Sequence, residues 1–178
     1  SDSGATLSTG QTVVVPAGTK LFSTAAADGT VVSFELSSNV VLNSAEADAI
    51  VGSDTMVRVQ RTATASEGIT VAPTKIAVSK GVPNAEFILA DPGVIEGSVT
   101  VYTVEGGQGI YWAPLQRLAV ASSTQSAFTT YVDDENYTHV VFGDKSSGRI
   151  PPVNADIYVG YRTGVGAAAN SVGVNTIV

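Results

Sequence analysis

His139 is the only histidine in the chain, and it lies in the apolar run Tyr137-Thr138-His139-Val140-Val141-Phe142. On a strand it shares a face with Tyr137 and Val141. A Ser-His-Asp site needs a nucleophile and an orienting carboxylate brought to the ring by the fold, and no Gly-x-Ser-x-Gly elbow marks such a serine. Nearby, Asp133-Asp134-Glu135-Asn136 places oxygen-bearing side chains in a row. A calcium loop alternates its ligands and closes with a distant bidentate Glu, so this run reads instead as a solvated hairpin turn. Asp91, Glu96 and Glu105 are too scattered to pair as the two carboxylates of glycoside chemistry. Gly106-Gly107-Gln108-Gly109 lacks the Lys-Ser/Thr and following helix of a phosphate loop. With no cysteine, a disulfide framework and Cys-based zinc sites are excluded. These readings yield no catalytic, cofactor-binding or metal-ligating residue, and the chain is expected not to be an enzyme.

Tyr111 and Trp112, beside that glycine loop, form a candidate sugar-stacking platform. The other reading of a lone Trp in a small β domain is a core anchor.

The elements that would position these residues read as strands. Val, Thr, Ser, Ala and Gly dominate, which suits strands and turns. Thr12–Val15 is cut off by Pro16-Ala17-Gly18, and Asp28-Gly29 is a hairpin signal before the alternating Val32, Phe34 and Leu36. Asn43 to Ala49, with Glu46 three residues after a capping Asn43, is the best helical candidate of the first half. Strands are expected at 56–62, 71–78 (broken by Pro73), 86–89, 97–104 and 127–132, with 110–120 strand or partly helical. Lys80-Gly81-Val82-Pro83-Asn84 clusters Gly and Pro after a completed set of strands and reads as a domain boundary. The expectation is an all-β chain of two small sandwich-like or barrel-like domains, 1–80 and 81–164, with at most one or two short helices. Arg61-Thr62, Val71 and Ile76 repeat the spacing of Arg162-Thr163, Val172 and Ile177. That raises a nested arrangement in which 165–178 returns to the first domain.

Charged residues make up 14% of the chain, against about 25% in ordinary soluble domains. Such a surface suits burial against other subunits, although small Ser- and Thr-rich β domains also manage with few charges. The net charge of −7 and the absence of a Lys/Arg block argue against nucleic-acid or anionic-membrane binding. No apolar run approaches the ~20 residues of a membrane span. Ser1 in place of Met is expected of a processed product or a piece of a longer chain.

The stretch from Val140 to Asn170 has the most definite order. An apolar strand runs into Gly143-Asp144, and a polar turn carries Ser146, Ser147 and Gly148. Pro151-Pro152 then stops pairing, because neither nitrogen can donate. A second strand over 156–161 leads to a small-residue run. The stretch reads as a β-hairpin with a wide, shaped tip. Phe-Gly-Asp at 142–144, Gly-Arg-x-Pro-Pro at 148–152 and Tyr-Arg-x-Gly-x-Gly-Ala-Ala-x-Asn at 161–170 resemble the baseplate J-like, or baseplate wedge, proteins of phage tails and related contractile injection systems. Gly-Val-Pro-Asn-x-x-Phe at 81–87, Gly-Ser-Val-Thr-Val at 97–101 and Val15-Pro-Ala-Gly-Thr19 extend the resemblance over most of the chain. One departure is Lys145, where the family usually has Gly; a turn needing positive φ there would be strained by Lys.

The resemblance implies a virion structural protein of the tail baseplate, soluble in the host cytoplasm before assembly. Its partners would be other tail proteins and copies of itself around a six-fold axis. The candidate interface is Asp144, Lys145, Arg149, Pro151 and Pro152. Arg149 either folds back onto Asp144 or makes a bidentate contact with a neighbour's carboxylate. The alternative function is a glycan- or surface-binding β module of a tail fibre or adhesin, centred on Tyr111 and Trp112.

Overall fold

The computed structural model describes residues 11–25, 29–43, 49–50, 57–59 and 61–164. The architecture is all-β, and its only helical element among the described residues is a 3-10 turn at Leu118–Val120. No helix among them is long and apolar enough to cross a membrane. The chain divides into two compact units, with the break between Ile69 and Thr70.

The first unit pairs short strands. β1 (Thr12–Val15) runs antiparallel to β4 (Val40–Asn43), and β2 (Lys20–Phe22), β3 (Ser33–Leu36) and β7 (Ala65–Glu67) form a three-stranded sheet. β5 (Ala49–Ile50) pairs with β6 (Val57–Arg58). Gly18 turns the chain after Pro16 at φ 80°, and Asn39 Oδ1 accepts the Ala17 N–H at 2.7 Å. Val32 and Leu36 are buried. The expected helix over 43–49 has strand residues at both ends, Asn43 and Ala49, while 44–48 lie outside the described residues. The expected return segment, 165–178, also lies outside them.

The second unit is one seven-stranded, nearly closed sheet in the order β8-β14-β10-β11-β12-β13-β9. These are β8 (Ile69–Val78), β9 (Glu86–Pro92), β10 (Thr100–Glu105), β11 (Gln108–Pro114), β12 (Ala127–Val132), β13 (Tyr137–Phe142) and β14 (Asp156–Thr163). Strict alternation sends Val101 and Thr103 of β10, Val140 and Phe142 of β13, and Ile157, Val159 and Tyr161 of β14 into one core with Leu89, Trp112 and Phe128. Phe142 sits edge-on between Trp112 (4.9 Å) and Phe87 (6.0 Å). Phe142 and Trp112, both buried, each contribute roughly 3 kcal/mol through burial. β11 and β12 are parallel, joined by a loop that contains the 3-10 turn.

Two expectations differ from this arrangement. Lys80–Asn84 is a tight turn inside the second unit, because β8 continues through Pro73 to Val78 and pairs with β14. Pro73 is tolerated there because β8 is an edge strand and faces Gly160, where a Cβ would come within 2.8 Å of its ring. The stretch from 140 to 161 is not a hairpin. β13 lies between β12 and β9, and β14 between β8 and β10, so 143–155 is a crossover along one end of the sheet. It passes the β8–β9 turn, where Asn84 N–H donates to the Gly143 carbonyl (3.1 Å) and Ser79 N–H to the Ala155 carbonyl (2.8 Å).

Candidate functional site

The crossover is built residue by residue from the motif that carries the resemblance. Phe142 ends β13 in the core, and Gly143 follows because a Cβ there would overlap the Gly148 carbonyl. Asp144 Oδ1 accepts the N–H groups of Ser147 (2.7 Å) and Ser146 (2.8 Å), an Asx-type turn. Those two donors hold its carboxyl below the usual carboxylate range. Lys145 donates its N–H to the Gly148 carbonyl (2.9 Å) and adopts φ 77°. A side chain at this positive φ costs on the order of 1 kcal/mol.

Arg149 does not reach Asp144. Its guanidinium pairs with Glu105 at the end of β10, donates to Ser126 Oγ at 3.2 Å, and lies 5.7 Å from the Trp112 ring centre. Behind it a polar relay runs into the barrel. Thr103 Oγ1 donates to Glu105 Oε1 (2.7 Å) and accepts the Trp112 Nε1–H (2.9 Å). The side chains of Arg149 and Glu105 are only 30% and 16% exposed. Arg149 is therefore an internal brace that ties the crossover to the core. Ser79 adds a second tie, donating its hydroxyl to the Pro151 carbonyl at 2.8 Å.

Of the candidate interface residues, Pro151 is buried, Pro152 and Arg149 are half-buried, Asp144 caps the turn, and Lys145 projects outward. Around them lies an open concavity of about 490 Å³ whose walls include Gly81, Thr124, Lys145, Pro152 and Val153. Val153 is 63% exposed.

Tyr111 and Trp112 do not form a common platform. Adjacent on β11, they point to opposite faces: Trp112 is a core residue and Tyr111 is 79% exposed. Tyr111 instead heads an outer row with Tyr102 and Tyr158, directly across β10 and β14. Tyr102 and Tyr158 stack face to face at 4.8 Å, which covers one face of each ring.

A second cluster surrounds His139. Nδ1 lies 2.5 Å from Glu86 Oε1, Nε2 lies 2.9 Å from Asp133 Oδ2, and Tyr131 stacks on the ring at 4.5 Å. The Tyr131 hydroxyl also donates to Glu86 (2.6 Å). Asp133 and Glu86 together raise the His139 pKa above its usual value, against an opposing effect of burial. Asp133 is held low by His139 first and by the Tyr137 N–H next; Glu86 is held low by Tyr131 and then His139. A carboxylate on each nitrogen favours the imidazolium form, and these partners engage both ring nitrogens. The two carboxylates flank the ring rather than converge on one point, and Asp133 Oδ1 already accepts the Glu135 and Tyr137 N–H groups. Sequence reasoning missed this cluster. Counting outward from the Asp133–Asn136 turn would have set Tyr131 opposite His139, as observed; nothing local signals Glu86.

Compared with models of known protein families the chain matches none, and no curated protein matches it.

Proposed function

We propose that the chain is a structural subunit of a phage tail baseplate wedge or related contractile device, acting by assembly rather than catalysis. The observation that carries the reading is the use made of the resemblance motif. Gly143, Asp144, Gly148, Arg149 and Pro151 each fix the path of the crossover, through a close approach, a turn cap, a positive φ, a brace or a buried ring. Residues spent on holding a loop in one shape are what an assembly surface requires, because preorganisation lowers the entropy cost of docking. The partners in this reading are other tail proteins and further copies of the chain, and its place is the virion.

Mass spectrometry of purified contractile tails, with immunogold labelling against the second unit, tests the assignment. The expected result is the chain in every tail with label at the baseplate. Label confined to fibre tips, or tails that lack the chain, would overturn it.

A further inference from the structure

The two ends of the second unit carry opposite charge. β13 runs from the Asp133–Asn136 turn to the crossover at Gly143, so the two features lie at opposite ends of the strand, roughly 20 Å apart. At the turn end, Asp134 and Glu135 are exposed while Asp133 is consumed by His139. Exposed Glu96 joins them, since Gly93 N–H donates to the Asn136 carbonyl at 3.1 Å and draws the 93–98 turn alongside. Arg162, near this end, is half-buried and already has an interaction partner.

The crossover end is the reverse. Its carboxylates are occupied: Asp144 by the turn N–H groups, Glu105 by Arg149, Asp156 by Lys75 at 2.7 Å, and Glu86 by Tyr131 and His139. Lys145 projects at the concavity, Lys80 adjoins its Gly81 wall, and Arg117 precedes Leu118, which packs against Gly148. All three cations are exposed, and none has a carboxylate within ion-pair distance among the described residues. Beside them stand the exposed Val82 and Val153 and the Pro152 wall. In a chain of net charge −7, this partly apolar hollow has Lys145 on its wall and two further exposed cations in its neighbourhood.

We infer that the crossover concavity docks the Asp134-Glu135 turn of a second copy of this chain, head to tail. The occupant follows from complementarity: the hollow offers the Lys145 ammonium and an apolar wall, with Lys80 and Arg117 in its neighbourhood, and the opposite end of the same unit offers exposed carboxylates, Asp134 and Glu135, with no ion-pair partner among the described residues. Contact between unlike ends is heterologous, so it propagates into a ring or a filament instead of stopping at a two-fold dimer. The inference rests on the reading of the chain as an assembly subunit and names the surfaces involved.

Sedimentation velocity of the full chain at high concentration tests it with a charge swap. The wild type should associate weakly at low salt, and the association should fade at about 0.5 M NaCl, where screening shortens to a few ångströms. Lys145→Glu alone, and Asp134→Lys with Glu135→Lys, should each weaken self-association by about tenfold or more through like-charge contact. An equimolar mixture of the two variants should recover it, which also shows that both are folded. A wild type that stays monomeric, variants that associate as the wild type does, or a mixture without recovery would overturn head-to-tail docking. Labelling of tails bears separately on the baseplate reading, so the two can fail independently.

Discussion

Truncating Arg149 is the sharpest probe of how the crossover is held. Arg149→Ala removes the pair with Glu105, the Ser126 hydrogen bond and the guanidinium over Trp112, while the backbone N–H keeps its bond to the Gln125 carbonyl (2.8 Å). Breaking a fully buried pair costs about 3–5 kcal/mol, and an exposed one about 0–1 kcal/mol. Glu105, at 16% side-chain exposure, sits nearer the buried limit, and Arg149, at 30%, moderates it. The pair is therefore worth about 2 kcal/mol on truncation, and the ring contact adds about 0.5–1 kcal/mol. The expected loss is about 2.5–3 kcal/mol, or roughly 10–20 °C in Tm for a unit of this size. Replacing both partners, Arg149→Met with Glu105→Met, should cost less than Arg149→Ala because no charge is stranded. Urea unfolding followed by the fluorescence of Trp112, the only tryptophan, reads this unit directly. A loss under about 0.5 kcal/mol for Arg149→Ala, the range of ordinary surface changes, would refute the brace.

Three further outcomes follow from the same geometry. Lys145→Gly should stabilise the chain by about 0.5–1 kcal/mol by relieving the positive φ, whereas Lys145→Val should destabilise it; equal midpoints in urea would contradict the strained turn. Trp112→Ala should cost about 3–5 kcal/mol, and unchanged stability would remove its role as core anchor. The His139 cluster gives stability a pH optimum. The raised imidazolium contribution is complete below the usual 6.5 and lost as pH rises through the higher folded value. The lowered Asp133 and Glu86 contributions hold above their usual 3.8 and 4.5 and are lost as pH falls through their folded values. Urea midpoints should therefore be highest at roughly pH 5–6.5 and fall on both sides. In His139→Gln the alkaline fall should vanish, and its persistence would assign that fall elsewhere.

The alternation of Val99, Val101 and Thr103 made β10 legible, and the Asp133–Asn136 turn between two apolar runs made the β12–β13 hairpin legible. Lys145 was legible too, since a non-glycine residue in a turn that wants glycine carries its strain in the sequence. The pairing of distant strands was not. Val140–Phe142 and Asp156–Tyr161 look like hairpin arms, but pairing depends on which edges the closing sheet brings together, and here β9 and β10 supply better partners. The break at Ile69 was hidden for a similar reason. Gly81 and Pro83 mark a turn equally well inside a unit or between units, and only the pairing of β8 with β14 decides. Arg149 met a carboxylate forty-four positions away. Sequence neighbours such as Asp144 are the natural guess, but Asp144 is satisfied locally by its own turn.

The central claim is that the crossover is a rigid assembly surface, and a variant altered only on its outward residues tests it most directly. Lys145→Glu with Val153→Asp leaves Gly143, Asp144, Gly148 and Arg149 in place and touches none of the bonds that hold the loop. Its urea midpoint should stay within about 0.5 kcal/mol of the wild type, as for exposed substitutions in general. Intact tails counted by electron microscopy from phage carrying only this variant should fall at least about tenfold, as expected of a charge reversed at a docking contact. A normal yield of infectious particles from a folded variant would contradict the account.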